Sequence, residues 1–173
     1  VVLLLGISKM TSMALVFLLL GTMNAILAID IKVSVDNSKL FPPTAWKNKL
    51  YYVSKPSFTS FADANTWCAQ NGGGYAAEID SSEELLVLQQ YVPSSKLDRI
   101  YIAGTDAKKD GVWLTQRTQT VLHVFDWSDG EPNNYGGQEA CLELYGNFQG
   151  RMNDCPCDKL TVLRPVLCEV DLF

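Results

Sequence analysis

Five side chains between positions 131 and 154 carry oxygen atoms of the kind that bind hard metal ions. They are three carboxylates and two amides: Glu131, Asn133, Glu139, Asn153 and Asp154. Ca²⁺ takes about 6–8 oxygen ligands and needs neither imidazole nor thiolate. Three carboxylates around a dication leave about one negative charge, which allows binding without gross repulsion between the ligands. These residue types suit a calcium site, and the alternative at this point is a set of ordinary solvated surface groups in a polar loop.

Two features of this cluster bear on what else it could bind. Each asparagine would hold the ion through its amide oxygen, which leaves an NH₂ group free to donate a hydrogen bond to a ligand. An X-Pro peptide bond can be cis at modest cost. A cis bond before Pro132 would point the side chains of Glu131 and Asn133 the same way.

The composition excludes two classes of function. Of the 173 residues, 14 are Lys or Arg and 19 are Asp or Glu, which gives a formal net charge of −5. A protein that binds duplex nucleic acid needs a basic surface to neutralise phosphates, so nucleic acid is not an expected partner. The single histidine, His123, leaves little for a His-containing catalytic triad. Glu131 and Glu139 could form a hydrolase pair, but both are needed as metal ligands, so we do not expect an enzyme.

An apolar run near the start predicts a secretory signal peptide over residues 1–28. Residues 13–28 are apolar apart from Thr22 and Asn24. As a helix this run would span about 24 Å, short of the roughly 30 Å of a bilayer core, which disfavours a retained anchor; a buried core helix is the third alternative. Met10 or Met13 is the expected initiator, which would make residues 1–9 upstream, non-native sequence. The mature protein is then expected to be extracellular, without a membrane span, and to form disulfides.

The rest of the chain predicts a folded module over residues 41–173, preceded by a short polar segment over residues 29–40. Ser60 stands directly before one amphipathic run, and Ser81 is the N-cap of a second, with Glu84 completing its capping box. The second helix is expected to end before Pro93. Strands are predicted at residues 50–53, 75–79, 100–103, 141–145 and 162–170. Together with a long polar segment over residues 104–140, this order indicates an α+β domain.

An ordered set of short motifs runs through this module. It comprises Cys68 in the first helix, AAEIDSSEE from position 76, YIAGTD from position 101, Trp127 four residues before Glu-Pro-Asn, the Glu139-Ala-Cys141 step, Asn153-Asp154, and Leu-Cys-Glu at 167–169. Over residues 41–170 the sequence resembles a C-type lectin domain, in a short, single-domain, secreted form. The resemblance implies two helices packed on small antiparallel sheets, with a long calcium-binding loop. Tyr101 and Met152 stand where tryptophan is common in the family, and Met152 can fill the same apolar gap.

The resemblance implies a role for each member of the oxygen cluster. One Ca²⁺ would be bound by Glu131, Asn133, Glu139, Asn153 and both the side chain and the backbone carbonyl of Asp154. Two vicinal hydroxyls of a sugar would complete the coordination, accepting hydrogen bonds from the amides and donating to the carboxylates. In this family Glu-Pro-Asn implies ligands of the mannose, N-acetylglucosamine and fucose type, on microbial or cell surfaces, and a role in innate immunity.

Two alternatives to this function stay open. Tyr135, which is followed by two glycines, falls in the part of the loop that flanks a bound sugar in the family. Its ring would either stack on the apolar face of a sugar, which galactose presents best, or pack against its own loop. The other alternative keeps the fold without sugar binding, as a structural or interaction protein of the biomineral-matrix or ice-binding kind.

A second, auxiliary calcium site is only half present. The resemblance places Asp106 and Asp110 where they could bind another ion alongside Glu139. Asn134 and Ala140 stand where such sites typically have acids. We therefore expect one calcium ion per chain.

The five cysteines leave one without a partner within the chain. The resemblance implies the disulfides Cys68–Cys168 and Cys141–Cys157, which leaves Cys155. Three fates stay open for Cys155: a free thiol, a bridge between two copies of the chain in a homo-oligomer, or pairing with Cys141 in place of Cys157.

Overall fold

Two helices and seven strands make up the described part of the fold, which is α+β as predicted. The computed structural model describes Asp36 and residues 38–172, so the predicted signal peptide lies outside the described residues. Among residues 38–172, no helix is both long enough and apolar enough to span a bilayer. In chain order the elements are β1 Thr44–Trp46, β2 Lys49–Val53, α1 Phe61–Gln70, β3 Tyr75–Ala76, α2 Ser82–Ser94, β4 Arg99–Thr105, β5 Glu139–Tyr145, β6 Arg151–Pro156 and β7 Leu167–Asp171.

The strands form two small antiparallel sheets, as the resemblance implies. The first has the strand order β1-β2-β7-β3 and the second the order β4-β5-β6. In the second sheet Glu143 on β5 lies opposite Asn153 on β6, and Leu142 lies opposite Asp154. The β5–β6 pair therefore fixes the positions of two predicted metal ligands.

Both helices begin at the serines that the sequence indicates. The Ser60 hydroxyl accepts a hydrogen bond from the Asp63 amide at 3.1 Å, and the Ser81 hydroxyl accepts one from the Glu84 amide at 3.2 Å. The prediction that α2 ends before Pro93 is wrong, because the helix continues to Ser94. A proline in the last turn removes one donor only, and i+3 hydrogen bonds close that turn after it.

Two hydrophobic clusters fill the interior. The first joins α2 to strands of both sheets and includes Leu88, Ile102 and Met152. The second joins α1 to both sheets and includes Phe61 and Tyr101. Met152 and Tyr101 are buried, so each fills an apolar site at the position where the family commonly has tryptophan.

The long segment between β4 and β5 is held by aromatic side chains. Within residues 106–138, all of which are described, the only helix or strand element is the 3₁₀ turn Tyr135–Gly137. Trp113 is buried, its ring centroid lies 5.5 Å from that of Trp127, and Trp127 stacks on Phe125 at 5.3 Å. Large apolar rings therefore anchor a segment that has few backbone ladders of its own.

Several strand predictions differ from the structure. The run predicted over residues 75–79 is a strand only at Tyr75–Ala76, and the one predicted over 162–170 begins only at Leu167. The sequence analysis missed β1 and β6 altogether. The omission of β6 matters most, since this strand carries Asn153 and Asp154.

Both implied disulfides are present, and Cys155 is left unpaired. Cys68 is bonded to Cys168 and Cys141 to Cys157. Cys155 is buried, and burial raises the pKa of its thiol well above the usual value. A bridge between two copies through Cys155 would require the core to open, so the structure disfavours that alternative.

A buried ion-pair cluster holds the first sheet to α2. The Lys49 ammonium lies 2.8 Å from Asp80, 3.0 Å from Glu84 and 2.9 Å from Glu169. Glu84 and Glu169 are buried, and the Tyr51 hydroxyl also donates to Glu84. Burial raises the pKa of Glu169 to about 7, and the hydrogen bond and charge of Lys49 oppose that shift. One cation thus balances two carboxylates that have no access to water.

Replacing Lys49 by Met is expected to destabilise the fold by about 3–5 kcal/mol, since Glu84 and Glu169 would stay buried without their cation. The pKa of Glu169 in the fold lies above the 4.5 of an ordinary glutamate. The folded chain therefore binds that proton more tightly than the unfolded chain, and stability falls as the pH rises between these two values. The loss from Lys49→Met should thus be larger at pH 8 than at pH 5.

Urea unfolding followed by circular dichroism at both pH values measures this effect. The matched variant Lys108→Met removes an exposed lysine and should change stability by less than about 0.5 kcal/mol. An equal loss for Lys49→Met at the two pH values would contradict the prediction.

Iodoacetamide is expected to leave Cys155 unmodified in the native protein and to label one thiol per chain in denaturant. Burial and a raised pKa keep its reactive thiolate form rare. Peptide mass spectrometry after each treatment provides the measurement. A peptide that links Cys141 to Cys155, or a covalent dimer that disappears in Cys155→Ala, would show that the thiol is not a buried, free group.

Candidate functional site

The predicted ligands come together where the long segment meets the β5–β6 edge. Glu139 begins β5, and Asn153 and Asp154 lie on β6. The backbone amide of Asn133 donates to Asp154 Oδ1 at 3.1 Å, and the amide of Asn134 donates to Asp154 Oδ2 at 2.7 Å. A single carboxylate therefore docks the Glu-Pro-Asn segment against the strand.

A tight turn completes the rim of the site. The backbone amide of Tyr135 donates to Glu139 Oε2 at 2.9 Å, and the amide of Glu139 donates to Asn134 Oδ1 at 3.2 Å. Asn134 has φ 44° and Gly136 has φ 67°, both in the left-handed region, which Asn and Gly tolerate better than other residues. The bond between Glu131 and Pro132 is cis, a conformation that the sequence allows before proline.

Negative charge is concentrated here. Burial raises the pKa of Glu131, and the neighbouring Asp154 carboxylate raises it further. Burial also raises the pKa of Glu139, partly offset by the hydrogen bond from Tyr135, with Asp154 adding to the rise. Closely spaced carboxylates in a poorly hydrated place disfavour their own ionised forms, and a cation between them relieves that repulsion.

One oxygen of the cluster has no partner. Glu131 Oε2 is buried and accepts no hydrogen bond from any residue that the structure describes. A buried acceptor left unsatisfied costs free energy, typically about 1–3 kcal/mol. This orphaned oxygen, beside two further carboxylates, fits a hard divalent cation. Among residues 38–172, no three His, Cys, Asp or Glu side chains form a group that could hold a metal ion by themselves, so the amide oxygens of the asparagines would be needed as well.

The two predicted asparagine ligands differ in their surroundings. Asn153 Nδ2 donates to Glu143 Oε1 at 2.8 Å and also to the backbone carbonyl of Asp154. The expectation that both asparagines keep a free NH₂ group is therefore wrong for Asn153, whose two N–H donors are used within the protein. No hydrogen bond among the described residues engages the side-chain amide of Asn133.

Tyr135 and the auxiliary aspartates flank this cluster. The Tyr135 side chain is 80% exposed, so the alternative that it packs against its own loop is wrong. Asp110 Oδ1 accepts a hydrogen bond from the Asn134 side chain at 3.2 Å, and Asp106 Oδ2 accepts one from the Gly111 amide at 2.9 Å. The structure thus links Asp110 to the site through Asn134, whereas Asp106 caps its own turn.

Sequence reasoning missed two residues next to the site, Glu143 and Arg164. Both are buried, and the Arg164 guanidinium bonds directly to the Glu143 carboxylate. The available signal was a glutamate between two leucines in a strand that reads as apolar. A buried carboxylate requires a partner, but the sequence does not say which cation supplies it.

Curated proteins with similar sequences include lectins and collectins. Residues 57–170 match the family model of the Lectin C-type domain. The chain is 32% identical over 110 residues to C-type lectin 37Db of Drosophila melanogaster, an alignment that covers 63% of this chain and 71% of the fly protein. It is 31% identical over 109 residues to Collectin-10 of Gallus gallus, which covers 63% of this chain but only 38% of the collectin. The chain therefore spans well under half of that longer relative.

Solved structures share the fold. The carbohydrate-recognition domain of the mouse scavenger receptor C-type lectin superposes with a TM-score of 0.62 at 24% identity, over 75% of this chain and 95% of that one. A calcium-independent type II antifreeze protein superposes with a TM-score of 0.61 at 21% identity, over 76% of this chain and 95% of that one. At these identities the likeness concerns the fold alone.

Proposed function

This chain belongs to the C-type lectin family, and on that premise we propose that it is a secreted, Ca²⁺-dependent lectin that binds mannose-type glycans. The lectin and collectin relatives support carbohydrate binding in general. The proposal adds the ion, the sugar class and the location. Residues 1–28 would act as a signal peptide and residues 41–173 as the lectin domain. We assign the chain no catalytic role.

The observation that carries the proposal is the orphaned, buried Oε2 of Glu131 beside the carboxylates of Asp154 and Glu139. The ion would be held by Glu131, Asn133, Glu139, Asn153 and Asp154. When bound, Ca²⁺ supplies coordination positions that two vicinal sugar hydroxyls can fill. The carboxylates of Glu131 and Glu139 would accept hydrogen bonds from these hydroxyls, and the free amide of Asn133 would donate one.

The sugar class follows from the residues on either side of Pro132. Glu131 and Asn133 together present an acceptor and a donor, the pattern that the family resemblance connects with mannose, N-acetylglucosamine and fucose. A lectin of this specificity would serve in recognition of microbial or cell-surface glycans. One calcium ion per chain is proposed, with Asp106 and Asp110 left as a candidate auxiliary pair.

A second candidate specificity, for galactose, is favoured by one observation. The Tyr135 ring is exposed on the rim of the site, where it is free to stack on an apolar sugar face. The other alternative is a different kind of function, in which the domain is a structural or interaction protein that binds no sugar. The fold alone does not decide against it, because a calcium-independent antifreeze protein has the same architecture.

Calorimetric titration of the disulfide-bonded protein with methyl mannoside, N-acetylglucosamine, fucose and galactose tests the proposal. Binding of the first three is expected in Ca²⁺ and should be lost in EDTA. Glu131→Gln should weaken calcium binding on the order of tenfold or more, because it removes one of the ligand charges that set affinity. The matched variant Glu83→Gln, at an exposed position on α2, should leave both affinities unchanged. Undiminished sugar binding in EDTA would refute the role of the ion.

Tyr135→Ala is expected to weaken glycan binding about 2–10-fold while calcium affinity stays the same, since the lost stacking is worth about 0.5–1.5 kcal/mol. A larger loss for galactose than for mannose would favour the galactose alternative. Phe148→Ala removes another exposed aromatic side chain and is the control. Unchanged affinity for every sugar in Tyr135→Ala would exclude this residue from the site.

A further inference from the structure

We propose that Glu143 is a positioning residue for the candidate site. With Arg164 it would fix the side-chain amide of Asn153 so that Oδ1, and not the NH₂ group, is offered as a metal ligand. This inference rests on the proposed function, because it concerns how one proposed ligand is oriented. It also limits Asn153 to the metal, since its NH₂ group is used elsewhere.

The geometry starts from the register of two strands. Glu143 on β5 and Asn153 on β6 are direct cross-strand partners. The Glu143 side chain is fully buried, and its Oε1 accepts from Asn153 Nδ2 at 2.8 Å. The second N–H of the same amide is donated to the backbone carbonyl of Asp154. Both donors of Asn153 are thereby satisfied, and no described residue donates to its Oδ1.

A carboxylate is suited to this task for a chemical reason. The two ends of an asparagine amide have nearly the same shape, so packing alone does not choose between them. An ionised carboxylate only accepts hydrogen bonds, so it binds the NH₂ end and rejects the oxygen end. Glu143 therefore selects one of the two amide orientations of Asn153.

Arg164 holds that carboxylate in place. Its Nε donates to Glu143 Oε2, and its Nη1 donates to the backbone carbonyl of Val162 at 2.9 Å. Arg164 is itself buried, and its backbone exchanges two hydrogen bonds with Phe58, at 2.8 and 3.1 Å. Arg99 Nη1 lies 3.5 Å from Glu143 Oε1 and adds positive charge. The orientation of the amide is thus tied to two separate parts of the domain.

The arrangement has a consequence for sugar recognition. The family resemblance implies that both asparagine amides donate to sugar hydroxyls. Both N–H groups of Asn153 are donated within the protein, so on this proposal Asn133 supplies the hydrogen bond to a hydroxyl. The two sides of the site would then treat a vicinal diol differently, with one hydroxyl receiving a hydrogen bond and the other only donating.

A double-mutant cycle tests the positioning role by the sign of its effect. Glu143→Gln is expected to weaken calcium binding about 10–100-fold in the natural chain, the range for groups that orient metal ligands. In the Asn153→Asp background the side chain at position 153 is a carboxylate, so it is stabilised by a hydrogen-bond donor at position 143 and not by an acceptor. There Glu143→Gln should leave calcium affinity unchanged or strengthen it. If Glu143→Gln only damaged the fold, it would weaken calcium binding both in the natural chain and in the Asn153→Asp variant.

A readout without metal supports the cycle. The Asn153 side-chain N–H protons should exchange slowly with solvent in the calcium-free protein, as seen by nitrogen-15 NMR, and rapidly in Glu143→Gln. Glu84→Gln neutralises another buried carboxylate away from the site and should leave calcium affinity unchanged. If Glu143→Gln fails to fold, Arg164→Lys, which keeps the charge but loses the planar fork, should show a smaller loss of the same kind.

The outcomes separate this proposal from the proposed function. If the natural chain takes up no calcium, both fall together. If it binds calcium and Glu143→Gln binds it equally well, or loses affinity in both backgrounds alike, only the positioning role of Glu143 is refuted. A loss confined to the chain that retains Asn153, together with fast exchange of its amide, establishes that role.

Discussion

The organisation of this domain depends on one property of carboxylates, which accept hydrogen bonds but cannot donate them when ionised. Each buried carboxylate must therefore be met by a donor or a cation, and that requirement fixes what lies next to it. Asp154 accepts hydrogen bonds from the backbone amides of Asn133 and Asn134, while Glu169 forms an ion pair with Lys49. Glu143 accepts hydrogen bonds from the guanidinium of Arg164 and the side-chain amide of Asn153. These contacts connect strands, helix and loop at points where hydrophobic packing alone would not fix their relative positions.

Two groups of buried or half-buried carboxylates have different roles. The cluster around Lys49 is balanced by its own cation and lies between the first sheet and α2, where it serves the fold. Among the residues that the structure describes, no cation forms an ion pair with the carboxylate of Glu131 or Glu139, and one oxygen of Glu131 has no hydrogen-bond partner. On our proposal, that imbalance distinguishes the ion site from a structural ion pair. Both groups consist of the same residue type, so the difference lies in their neighbours.

Much of the fold could be predicted from the sequence, because its signals are local. Amphipathic spacing located the first helix and the capping box of Ser81 the second, and the ordered motifs implied the family, the ligand set and the disulfides. Strand β6 was missed because its residues, Arg151–Pro156, mix charges, amides and a cysteine without regular alternation. The bond between Glu143 and Arg164 was missed because 21 positions separate the two residues. Which end of the Asn153 amide faces the strand depends on that long-range pair, so no local signal could reveal it.

The hydrogen bonds from the loop to Asp154 involve protein atoms only, and this has a thermodynamic consequence. A loop that is ordered by its own chain has already lost its conformational entropy when folding is complete. The hydrogen bonds to Asp154 reduce the conformational freedom that an ion or a saccharide would have to remove, so less of its binding energy is consumed in ordering the backbone. Affinity in such a site is governed by the match between the fixed oxygens and the incoming ligand. A long connection without regular secondary structure can in this way act as a rigid receptor.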